Sequence, residues 1–157
     1  MLIGQPQYKK NLKKKLGRNK KKRSKRINGE DVLEKTIYKK LQKNEIDAYL
    51  RAKRNDILDT QGIDIIIYAK NKEFFIQAKS DWQEEKMHRH FERYPDPKIT
   101  LIFVKPTSRE KIVDKAISDL LLRYNENSNI PLVYRISGGI SYGYYDLKNK
   151  TIVFCAL

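Results

Sequence analysis

The stretch Ile63–Ala69 constrains this chain more than any other, because it is apolar and β-branched almost throughout and so reads as a strand. Asn71-Lys72 is read as a turn, and Glu73–Ala78 as the returning strand of a hairpin. Asp64 opens the first strand just after Gly62, and Gln77-Ala78-Lys79 closes the second. Side chains alternate along a strand, so Gln77 and Lys79 share a face. A hairpin turning near Asn71 sets Asp64 across from the 77–79 region. Three polar groups then meet at one end of an otherwise apolar ladder.

The remaining pattern supplies layers around this hairpin. Asn28 is an N-cap for a helix over about 30–43, with Glu30 and Asp31 in its first turn and Leu33, Ile37 and Leu41 at helical spacing. Ala48–Arg51 reads as a short strand. Asp81–Tyr94 reads as a surface helix stopped by Pro95, and Ile99–Val104 as a buried strand. Ser108 caps a further helix whose apolar face runs from Ile112 to Tyr124. Leu132–Ile136, Tyr142–Leu147 and Thr151–Ala156 read as strands, with Gly138-Gly139 as a flexible connection. The expected fold is α/β, a sandwich around a mixed sheet.

Charge divides the chain. Of 34 Lys and Arg residues, twelve lie between Lys9 and Arg26, and the net charge is +15. From Ile27 to Leu157 there are 22 cations against 19 acids. Residues 1–28 are therefore expected to be a basic, disordered tail, and 29–157 one folded domain. Lys13, Lys14, Lys15, Arg18, Lys20, Lys21, Lys22, Arg23, Lys25 and Arg26 suit phosphate contact with counterion release. Lys86 and Arg89, near His88 and His90 on the surface helix, are weaker candidates for the same role. The single Cys155 excludes an internal disulfide and a cysteine-based zinc site, which makes a reducing intracellular compartment the default: cytoplasm, nucleoid or nucleus. No run of apolar residues is long enough to span a membrane. The N-terminus lacks a signal-peptide core, whereas its acid-free run up to Glu30 leaves an organellar transit peptide open.

A carboxylate, an amide and an ammonium group together suit phosphodiester hydrolysis. Mg²⁺ takes oxygen ligands from one or two carboxylates plus substrate and water. A bound metal polarises phosphate and acidifies water, and a nearby lysine orients that water or offsets developing charge. Gly62-Ile63-Asp64 followed by Phe75-Ile76-Gln77-Ala78-Lys79-Ser80 resembles the PD-(D/E)xK nuclease superfamily. The Gln-x-Lys form is similar to Mrr-type restriction enzymes and a branch of homing endonucleases. Leu33-Glu34 with Ile37 and Leu41 resembles the first helix of archaeal Holliday-junction resolvases.

The resemblance covers about residues 30–104 and implies a restriction-endonuclease-like αβββαβ core, here followed by a C-terminal helix and strands. It implies Asp64 as the main metal ligand, Gln77 contributing its amide oxygen, the Ala78 carbonyl as a backbone ligand and Lys79 as the catalytic lysine. It implies that Glu34 holds metal-bound water, with Glu30 on much the same side as the alternative. The implied activity is that of a Mg²⁺- or Mn²⁺-dependent DNA endonuclease, structure-specific or site-specific, acting as a homodimer or larger homo-oligomer. The chain departs from the family in Ile63, where the superfamily's name has Pro, and in the neutral Gln77. That neutral amide keeps open a non-catalytic nucleic-acid-binding module, and the tail alone keeps open RNA binding.

Overall fold

A computed structural model describes residues 27–123 and 129–157. The expected tail contacts from Lys13 to Arg26 lie outside the described residues. Four helices and an eight-stranded mixed sheet follow in the order α1 (Gly29–Gln42), β1 (Ala48–Arg51), α2 (Ile57–Thr60), β2 (Ile65–Ala69), β3 (Lys72–Lys79), α3 (Glu84–Arg93), β4 (Ile99–Val104), α4 (Glu110–Arg123), β5 (Leu132–Ser137), β6 (Gly139–Asp146), β7 (Thr151–Ile152) and β8 (Cys155–Ala156). Strands β1 to β7 lie side by side in chain order, and β8 pairs with β6. Only β3–β4 and β4–β5 are parallel, and these are the two connections that carry a crossover helix.

Alternation along the strands sends side chains to two helical layers. Ile65, Ile67, Phe74, Ile76, Ile102, Val104 and Tyr134 pack beneath α1 and α4, where Leu33, Ile37, Val113 and Ile117 complete the larger core. Leu101, Phe103, Val133 and Tyr145 face the other way and receive Met87 and Phe91 of α3. Between the upper helices, Lys40 is 2% exposed and reaches Glu45 at 3.1 Å, Asp114 at 3.0 Å and the Ser118 hydroxyl at 2.6 Å. The start of α1 is closed by a capping box between Asn28 and Asp31. No helix among the described residues is long and apolar enough to cross a membrane.

Several local expectations change. The β2–β3 turn is Lys70-Asn71, not Asn71-Lys72. Both residues have positive φ, 54° and 62°, as a two-residue turn matched to strand twist requires. The register therefore pairs Ile65 with Ile76, which sets Asp64 opposite Gln77. Ser108 is not the cap of α4; its hydroxyl instead accepts the Lys105 N–H at 3.0 Å, closing a turn before the helix. The final expected strand is split into β7 and β8, both paired with β6. Gly138-Gly139 is the tight tip of the β5–β6 hairpin, with Gly138 at φ +65°. Helix α2 carries no buried residue and had no periodicity to announce it.

Candidate functional site

The strand pairing collects the expected trio. Asp64 sits immediately before β2, and its backbone is tied on both sides: its N–H donates to Ile76 O at 2.8 Å, and its carbonyl accepts the Ala52 N–H at 2.8 Å. With the backbone fixed, the carboxylate turns toward β3, where Oδ2 accepts the Ala78 N–H at 2.8 Å. The Gln77 amide faces two acceptors, and with its nitrogen toward them it donates to Gly62 O at 2.5 Å and to Asp64 Oδ2 at 3.3 Å. Gly62, at φ +79°, has the Tyr94 ring where a Cβ would stand, the nearest ring atom at 2.6 Å, so glycine is required on both counts. The N–H and C=O of one strand residue point to the same side, which puts the Ala78 carbonyl on the β2 edge of β3 as well.

Lys79 lies on the same face as Gln77, and its side chain makes no hydrogen bond or ion pair among the described residues. Its charge is nonetheless felt by two neighbours. It draws the Asp64 pKa downward, but burial first and the nearby Glu30 second outweigh it and lift Asp64 to about 6. It also adds to the burial that depresses His90 to about 4. His90 belongs to the buried face of α3 with Met87 and Phe91, at 3% exposure, and neither ring nitrogen has a partner. The expectation that both histidines of this surface helix face solvent is thus corrected for His90, which faces inward, while His88 Nδ1 meets the Tyr145 hydroxyl at 2.7 Å.

Glu34 takes a different position from the one expected. It is buried and ion-paired at 2.6 Å with Arg51 Nη1, which also holds Asp31 at 2.8 Å, while Arg51 Nε holds Glu30 at 2.9 Å. Burial opposes the charge on Arg51, but Glu34 and the other two carboxylates outweigh it and raise its pKa. Arg51 is opposite Ile65 and faces α1, on the other side of the sheet from Gln77 and Lys79. Glu34 is therefore engaged by a cation of the fold rather than left open to water on a metal. Arg51 is the site-proximal residue that sequence reasoning missed; the only signal was a charged residue ending an apolar strand.

Lys86 and Arg89 lie at or near the surface of α3, and Arg89 reaches Glu85 at 3.5 Å. Trp82 packs edge-on against Phe103 and Phe154, under the Arg135 guanidinium at 4.1 Å, so it is a packing residue. Tyr145 is stacked on Phe91, Tyr142 lies under Arg123 at 3.7 Å, and Tyr144 is exposed.

Among the described residues, no three His, Cys, Asp or Glu side chains gather into a metal-binding group. A cation here would rely on one carboxylate, Asp64, together with amide and carbonyl oxygens and water. That donor set suits a hard ion such as Mg²⁺. The raised Asp64 pKa fits too, since a half-buried carboxylate that resists ionisation is stabilised by an adjacent cation. No protein-family model, curated protein or solved structure matches the chain.

Proposed function

We propose that this protein is a metal-dependent DNA endonuclease of the PD-(D/E)xK kind in its Gln-x-Lys form, working with Mg²⁺ or Mn²⁺. The observation that carries this reading is the pairing of Asp64 with Gln77 across β2 and β3, with an unpaired Lys79 ammonium on the same face. The order α1, β1, β2, β3, α3, β4 supports it as well, since it follows the αβββαβ order apart from the added α2.

Asp64, the Gln77 amide oxygen and the Ala78 carbonyl would hold the ion, which when bound supplies Lewis acidity to the phosphate and a more acidic water. Asp64 is positioned for this by the Ala78 N–H, which donates to Oδ2 at 2.8 Å. Gln77 must turn its amide over to offer oxygen, a rotation about a broad terminal torsion that costs its bond to Gly62 O. Lys79, without a competing carboxylate, is available to the phosphate oxygens or the attacking water. Its charge complements the pentacovalent transition state more than the diester ground state. Junction-like and site-specific substrates both remain within this reading, as does a homodimer or larger assembly.

The test is cleavage of linear, circular and four-way-junction DNA by the purified chain in Mg²⁺ and Mn²⁺. Cutting that vanishes in Asp64→Ala and Lys79→Ala while binding persists supports the proposal; no cutting of any substrate sinks it. Two observations favour a second reading, a non-catalytic DNA-binding module: Gln77 donates to Asp64, and Glu34 is neutralised by Arg51. That reading requires metal-independent binding that Lys79→Ala leaves unchanged.

A further inference from the structure

A cleft of about 380 Å³ opens beyond the ends of β4 and β5. Lys105 and Arg109 supply two cations, and Thr107, Ser108 and Ser137 supply hydroxyls. Ile112 and Ile136 form its apolar floor, and no carboxylate lines it among the described residues. The acid nearest in sequence, Glu110, is ion-paired with Lys39, which keeps the cleft's charge positive. The Ser108 oxygen already accepts the Lys105 N–H at 3.0 Å, so its proton is free to be donated to a ligand. Beside it, a Cβ on Gly138 would meet nothing within 4 Å, so the mouth stands open.

Its position relates it to the trio. Lys79, Phe103 and Arg135 are partners across the parallel strands β3, β4 and β5. Lys105 and Ser137 lie two residues beyond Phe103 and Arg135, so the cleft and Lys79 share the same end of the sheet. Strands are spaced about 4.8 Å apart and advance about 3.3 Å per residue, which sets Lys105 and Ser137 roughly 8–12 Å from Lys79 along the sheet, with the Ile112–Ile136 floor on the α1/α4 side. An offset of this size is within reach of a phosphate flanking the scissile one on the same DNA backbone.

We propose that the Lys105–Arg109 cleft binds a backbone phosphate of DNA flanking the one held at Asp64 and Lys79, and so sets the position of the strand. This rests on the nuclease reading for its substrate, but not for its test. Paired cations with neutral hydroxyl donors and no opposing acid suit a phosphodiester anion. They carry no base-specific pattern, so the cleft contributes affinity and register, not sequence preference.

The experiment uses the whole chain and a short labelled DNA duplex, titrated in EDTA across a range of salt. Lys105→Ala/Arg109→Ala is compared with Lys111→Ala/Lys115→Ala, which removes the same charge from α4 outside the cleft. All four residues are exposed, so folding is not at stake. The cleft variant is expected to bind more weakly, with a salt slope shallower by about 1–2 than that of the control variant. In Mg²⁺ it should raise KM and leave kcat near that of the parent. Equal slopes in the two variants overturn the cleft, whether or not DNA is cut. A shallower slope in a chain that never cuts DNA upholds the cleft and sinks the nuclease reading alone.

Discussion

Arg51 Nη1 lies 2.6 Å from Glu34 Oε1, a carboxylate whose side chain is 6% exposed. This pair joins β1 to α1, and Glu30 and Asp31 complete a three-carboxylate clamp on one guanidinium. Removing the cation strands a buried negative charge, a far worse state than removing both partners. Arg51→Met is expected to destabilise the fold by about 3 kcal/mol, and the double variant Arg51→Met/Glu34→Gln by clearly less. Urea unfolding of the two proteins checks this; equal losses would show that the pair is not coupled.

Lys40 makes the useful contrast. It is as buried as Glu34, but its partners Glu45 and Asp114 have side chains 47% and 45% exposed. Both carboxylates regain water when the ammonium is removed. Lys40→Met should therefore cost only about 1 kcal/mol, the net worth of charge-assisted bonds with hydrated partners. A loss as large as that of Arg51→Met would contradict the distinction.

Gln77→Glu should convert the site from one carboxylate to two. Without metal, the new charge faces Asp64 Oδ2 and Gly62 O, the two acceptors that the amide now satisfies. Stability in EDTA at neutral pH should fall by about 1–3 kcal/mol. Mg²⁺ or Mn²⁺ should restore it, with a larger rise in Tm than for the parent and tighter binding by calorimetry. A cation response no greater than the parent's would argue against metal at this position.

Asp64 and His90 tilt the pH dependence in opposite directions. The folded pKa of Asp64 is about 6 against an ordinary 3.8, so between these values the folded state holds more protons and stability falls as pH rises. His90 is near 4 against 6.5, so over that window the folded state holds fewer protons and stability rises with pH. Each tilt is on the order of 2–3 kcal/mol. In EDTA, His90→Phe should become less stable from pH 4 to 6, and Asp64→Asn more stable from pH 4 to 6.5. Denaturant midpoints across pH decide it; tilts of the same sign in both variants would refute the assignment.

What was legible in the sequence follows from the range of the interactions involved. The hairpin and the meeting of Asp64, Gln77 and Lys79 follow from alternation and β-branching, which are local. The register was one residue off because a lysine at positive φ, Lys70, carries no turn signature, whereas Asn71 does. Arg51 was missed because its partners lie 17 to 21 residues earlier, on another element. His90 looked solvent-facing because polar residues dominate α3, yet Met87, His90 and Phe91 stand at i, i+3 and i+4 and form the one buried stripe of the helix.

The two-residue turn at Lys70-Asn71 acts as a ruler for the far end of the hairpin. Because alternation has period two, inserting a single residue into β3 before Gln77 would swing the amide and the ammonium through the sheet to the layer beneath α1. Inserting two would return them to their face but carry them about 6.6 Å past the carboxylate. The length of chain between the turn and Gln77 therefore has no tolerance for either change, whatever the identity of the side chains in between.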